Sequence, residues 1–208
     1  MKAVNPTADD WVVFLGDYVD KGPNVRQTLD LLIAESQIET RIFLRGNHDQ
    51  MFLNAKRDRS DYPMWECLAG QNPLRSYGNG STENEFISVP SEHFYFLEKR
   101  CVDFYETDDY IFVHAGIRAH KSADEEKVDR LQWSSLGLTA AHLSGKTVIC
   151  GHTDQPSMEI ADLGHTICID TGISKNGRLT CLCLSDMTFT QVDQDGNVIC
   201  HNEPLDRH

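Results

Sequence analysis

Short apolar runs alternate with polar loops along the chain, and several runs break off abruptly at Gly, Asp, Asn or His. Residues 11–15 and 41–44 read as buried strands. Between them Val25, Leu29, Leu32 and Ile33 recur at helical spacing behind Asn24, a suitable N-cap. A strand–loop–helix–strand unit predicts parallel pairing with a right-handed crossover. Residues 49–56 predict a second helix. Residues 57–84 are less regular, and Trp65, Cys67, Leu68 and Leu74 mark them as a small helical cap ending near Ser76-Tyr77-Gly78. Ser91 is expected to cap a helix carrying Phe94, Phe96 and Leu97. Residues 102–105 and 110–113 alternate as a hairpin across Thr107-Asp108-Asp109. Residues 119–130 read as a charged surface loop, with Asp124-Glu125-Glu126 a solvated face. Residues 147–150 predict another buried strand. From Ile167 onward the pattern is short strands and turns: 167–169, 179–184 and 188–192, then a turn at 193–196. The expected fold is α/β, parallel at first and mostly antiparallel at the end, in one domain over residues 1–208.

Composition narrows the function. The 208 residues suffice for a sizeable core. A net charge of -13 leaves no basic face for nucleic acid. It also means that a phosphorylated substrate needs a local source of positive charge, which metal ions supply. The seven cysteines are scattered, odd in number and without a C-x-x-C pair, which predicts reduced thiols and a cytoplasmic setting. No membrane span or signal segment is expected. Asn79-Gly80-Ser81 fits a glycosylation triplet but reads more simply as a polar turn.

The chemistry gathers where apolar runs stop. Gly16-Asp17-Tyr18-Val19-Asp20-Lys21-Gly22-Pro23 follows the first strand, and Leu44-Arg45-Gly46-Asn47-His48-Asp49 closes the second. His114-Ala115-Gly116 and Gly151-His152-Thr153 follow two later strands. Taken singly, each residue has a bland explanation as a turn former or a satisfied hydrogen-bonding group. Together Asp17, Asn47, His114 and His152 make a mixed oxygen and nitrogen set suited to Mn, Fe or Zn better than to Ca. Arg45 can fork onto phosphate oxygens, and Lys21 offers a point charge. His48 can donate a proton if a carboxylate holds its tautomer, and Asp20 is the candidate.

These motifs, with Val113-His114-Ala115-Gly116 and Ile169-Asp170-Thr171-Gly172, resemble the ordered motifs of the phosphoprotein-phosphatase branch of the calcineurin-like metallophosphoesterases. The bacterial type is closest, a group holding serine/threonine phosphatases and symmetrical diadenosine tetraphosphatases. Trp65, Ser76-Tyr77-Gly78 and Gly177-Arg178-Leu179-Thr180 also look like that branch's connecting segments. The resemblance implies a four-layer α/β/β/α fold with two mixed sheets. It implies Asp17 as a bridge between two metal ions, with Asn47, His114 and His152 completing one ion's sphere. It further implies His48 as general acid oriented by Asp20, Arg45 and Lys21 as phosphate ligands, and Asp170 as a support for the His152 loop.

Three departures accompany the resemblance. No Asp-x-His-Gly strand precedes Asp17, so a truncated start with one metal half-site missing is expected. Lys21 stands where the family usually has Arg. The Leu-Trp-x-Arg segment is replaced by Leu131-Gln132-Trp133-Ser134-Ser135, with Arg130 out of register. The resulting expectation is a metal-dependent hydrolase of phosphoserine and phosphothreonine esters. The alternatives are a symmetrical dinucleoside tetraphosphate hydrolase and an inactive, phosphatase-like binding protein holding one ion. Expected partners are a phosphorylated protein or a small phosphoester, with no nucleic acid and no membrane; the oligomeric state is left open.

Overall fold

The computed structural model describes residues 1–69, 73–78 and 85–206. The expected turn at residues 79–81 and part of the 57–84 cap lie outside them. The chain divides into two compact units, Trp11–Asp103 and Met1–Asp10 with Phe104–His208.

In the first unit, β1 (Val12–Phe14) pairs in parallel with β2 (Arg41–Phe43), as the strand–helix–strand pattern predicts. The crossover helix α1 (Val25–Glu35) buries Val25, Leu29 and Leu32 on one face. Asn24 occupies the N-cap position, but its side chain makes no cap bond. Its carbonyl instead accepts from the Thr28 backbone and hydroxyl. Helix α2 (Asn47–Arg57) begins two residues earlier than expected. Helix α3 (Tyr62–Ala69) lies within the 57–84 stretch and buries Trp65, while Cys67 and Leu68 stay exposed. Helix α4 (Ser91–Tyr95) follows Pro90 and runs into a wider turn over Phe96–Arg100; Ser91 is its first helical residue and not its cap. The core is aromatic. Phe14 stacks on Phe43 at 4.8 Å, and Phe52 sits 5.4 to 5.5 Å from Trp65, Phe86 and Phe94. Such ring pairs contribute about 0.5–1.5 kcal/mol each beyond their burial.

The second unit holds a five-stranded mixed sheet in the order β3-β4-β5-β7-β6 and a three-stranded antiparallel sheet in the order β10-β9-β8. The first comprises β3 (Phe104–Glu106), β4 (Tyr110–Val113), β5 (Thr147–Cys150), β6 (Ala161–Asp162) and β7 (Thr166–Cys168). The second comprises β8 (Leu179–Cys183), β9 (Thr188–Val192) and β10 (Val198–Pro204). The three central strands β4, β5 and β7 are parallel, so their C-terminal ends share one edge. Buried on both faces, they read as continuous apolar runs.

Two expectations are corrected. The stretch read as a loop contains helix α5 (Val128–Trp133). Glu126, read as solvated, is buried against Arg118, with contacts of 2.6 and 2.9 Å. This partner holds the Glu126 carboxyl at about 2. All seven cysteines are free thiols. Among the described residues no helix is long and apolar enough to cross a membrane.

Candidate functional site

In the first unit the two motif loops are joined by a residue that sequence reasoning passed over. Asp49 is fully buried, and its carboxylate accepts the backbone N–H groups of Asp17, Tyr18, Val19 and Gly46 at 2.8 to 3.2 Å. Four donors compensate a charge that would otherwise be costly to bury. The signal was present in the sequence, since an acidic residue at the third position of a helix commonly caps its first turn.

The loop that follows β1 is held in left-handed backbone. Gly16, Asp17, Asp20 and Lys21 have φ of 98, 60, 70 and 55°. Non-glycine residues pay for this conformation, and it persists where the surroundings over-determine it. Here Asp49 supplies the restraint. Gly46 allows the close approach: a Cβ there would lie 2.8 Å from Asp17 Cγ and overlap the carboxylate. Asp17 is exposed and its Oδ1 accepts the His48 N–H at 3.0 Å, which fixes the carboxylate over the start of α2. Asn47, the first residue of that helix, is buried.

His48 and Asp20 meet as expected, with Nδ1 2.7 Å from Oδ2. Trp65 of α3 adds an Nε1–H donor at 3.1 Å to each Asp20 oxygen. Burial pushes the Asp20 carboxyl above its ordinary value, while His48 and Trp65 pull it back down. An imidazole tied at Nδ1 to a carboxylate presents Nε2 for proton transfer.

The two expected phosphate ligands have other partners. Arg45 directs Nε to the Leu97 carbonyl and Nη2 to those of Glu98 and Cys101. Its Nη1 faces Gln50 and Asp103 at 3.4 Å. Five acceptors match the five N–H donors of a guanidinium, so the fork secures the end of the turn after α4. Lys21 caps α3, with its backbone N–H on Ala69 and its ammonium on the Leu68 carbonyl. A phosphate at either residue would compete with these bonds.

In the second unit His114 follows β4 and His152 follows β5. The Gly151 N–H donates to the His114 carbonyl at 2.8 Å, so the parallel register continues to the strand ends. The rings meet edge to face, with centroids 5.1 Å apart. One nitrogen of each lies within 4.8 Å of the other. His152 has a left-handed φ of 64°. Trp133 packs edge-on against its ring at 6.0 Å, a neighbour that sequence reasoning mentioned without a role. The Asp170 carbonyl, just past β7, accepts the Gln155 N–H at 2.9 Å and so braces the loop after His152. Two adjacent imidazoles at a strand edge are apt metal ligands.

Comparison with known proteins gives these residues a context. The calcineurin-like phosphoesterase family matches residues 1–169. A serine/threonine-protein phosphatase 1 from Salmonella typhimurium is 30% identical, with 82% of this chain and 77% of that protein covered. The asymmetrical bis(5'-nucleosyl)-tetraphosphatase PrpE of Oceanobacillus iheyensis is 22% identical, with 87% and 76% covered. Among solved structures, one of a putative diadenosine tetraphosphatase superposes with a TM-score of 0.57 at 17% identity, covering 94% of this chain and 81% of that one.

Proposed function

Since this chain belongs to the calcineurin-like phosphoesterase family, and is a hydrolytic enzyme of that family, we propose that Asp17, Asn47, His114 and His152 are its metal ligands and His48 its general acid. The observation that carries this reading is the His48–Asp20 contact, held by Trp65 and set one residue beyond Asn47. A divalent ion, of the manganese, iron or zinc kind, would supply Lewis-acid polarisation of the phosphate oxygens. The protein's own part is orientation and proton delivery. Asp20 fixes the His48 ring, and Nε2 gives its proton to the departing oxygen. Free thiols in every described cysteine support a reducing, cytoplasmic setting.

Two substrate readings have support. The Salmonella relative favours phosphoserine and phosphothreonine esters. The PrpE relatives favour a dinucleoside tetraphosphate, with asymmetrical and not symmetrical cleavage. Products separate the modes: splitting between the middle phosphates gives two nucleoside diphosphates, and asymmetrical splitting gives a tri- and a monophosphate.

The test is hydrolysis of p-nitrophenyl phosphate with added manganese. His48→Ala is expected to lower kcat by about 10²–10⁴ while metal content stays the same. Chelator is expected to abolish turnover. Activity indifferent to both treatments overturns the proposal.

A further inference from the structure

The second unit contains a pocket of about 370 Å³ lined by Arg118, Lys127, Asp129, Arg130, Trp133 and Ser134. The volume lies in the range of small-molecule sites. The helical period explains its make-up. Arg130 and Trp133 stand three residues apart on α5 and so share a face, Lys127 is the residue that precedes the helix, and Leu131 and Gln132 turn inward and are buried. Arg118 is anchored at the pocket through Glu126, which accepts from its Nε and Nη2. Lys127 and Arg130 form no ion pair among the described residues, so their charges face the pocket against a single carboxylate, Asp129. On a chain of net charge -13 this is a local reversal of sign. The remaining wall is the Trp133 indole, 45% exposed and in edge contact with His152.

Cations beside an exposed indole fit a ligand with both phosphates and a flat ring. We propose that this pocket binds the nucleotide portion of the substrate beyond the scissile phosphate, with Lys127 and Arg130 on its phosphates and the base on Trp133. This rests on the phosphoesterase reading and selects the dinucleoside polyphosphate over the phosphoprotein. A phosphoprotein side chain brings one phosphate and no ring to stack.

The test separates binding from hydrolysis. With chelator present, ADP is titrated against tryptophan fluorescence, and Trp133→Phe identifies the responding indole among Trp11, Trp65 and Trp133. Saturable quenching is expected in the wild type and is lost in Trp133→Phe. The double variant Lys127→Ala/Arg130→Ala should raise the Kd at least tenfold. Asp129→Asn should lower it at least twofold, a gain that misfolding does not mimic. In the hydrolysis arm, the ratio of kcat/KM for a dinucleoside tetraphosphate to that for p-nitrophenyl phosphate should fall at least tenfold in the double variant. No saturable quenching, an unaltered Kd or ratio, or binding of an acidic phosphoserine peptide in place of ADP overturns the proposal. If the manganese-loaded wild type hydrolyses neither substrate, the phosphoesterase reading fails, while the ADP titration still judges the pocket.

Discussion

Asp20 shows how one side chain is tuned by its neighbours. Burial raises its pKa, so the folded protein binds the proton more tightly than the unfolded chain does. The stabilisation associated with that proton is present at low pH and is lost as pH rises through the raised folded value. The carboxylate that orients His48 therefore predominates only above this raised pKa, so the acid limb of kcat is expected to shift upward from that of a free aspartate. Trp65→Phe removes the Nε1–H donor that both Asp20 oxygens share and that favours the carboxylate. The acid limb is then expected to move to still higher pH. A pH–rate profile checks this, and an unmoved limb would exclude the role given to Trp65. Asp20 and His48 were legible as a pair in the sequence because each is polar and follows a buried strand. Trp65 was legible only as part of the helical cap, since nothing local tells where an indole N–H will point.

At the scale of elements, Asp49 joins the start of α2 to the loop after β1. Removing it leaves four backbone N–H groups without their acceptor. Unsatisfied buried groups cost about 1–3 kcal/mol each, and breaking a buried charged network typically costs about 3–5 kcal/mol in all. Asp49→Ala is thus expected to destabilise by about 3–5 kcal/mol, read as a fall in the urea midpoint. Asp49→Asn retains one acceptor oxygen and should lose less. Equal stability of wild type and Asp49→Ala would remove this bridge from the account. The strands β1, β2, β4 and β5 were legible because each contains a short apolar run. Helix α5 was not: six residues are too short for a helical period to stand out from a charged loop.

On the scale of the molecule, the proposed metal takes ligands from segments far apart in the chain, so its binding should stabilise the fold. At a hundredfold excess over Kd the gain is about 2.7 kcal/mol. For a chain of this size that is roughly 5–11 °C in Tm. Manganese is expected to raise the Tm by this order and chelator to reverse it, with the shift lost in Asp17→Ala and in His114→Ala. A shift of equal size in both variants would place the ion elsewhere. The strongly negative net charge was plain from composition, whereas its local reversal at Lys127 and Arg130 was not.

The order of residues was enough to place the strands and the polar groups at their ends, although the first strand, expected to be buried, is only partly so and Trp11 is exposed. Burial and backbone period are written into each short segment, and the ordered motifs identify the family. Folding settled what each polar group does with its bonds. Carbonyls brought close by the chain's path engage the donors of Arg45 and Lys21. Asp49 and Trp65 acquire roles because distant backbone and side-chain atoms arrive within hydrogen-bonding distance. Such choices depend on three-dimensional proximity, which no local pattern encodes.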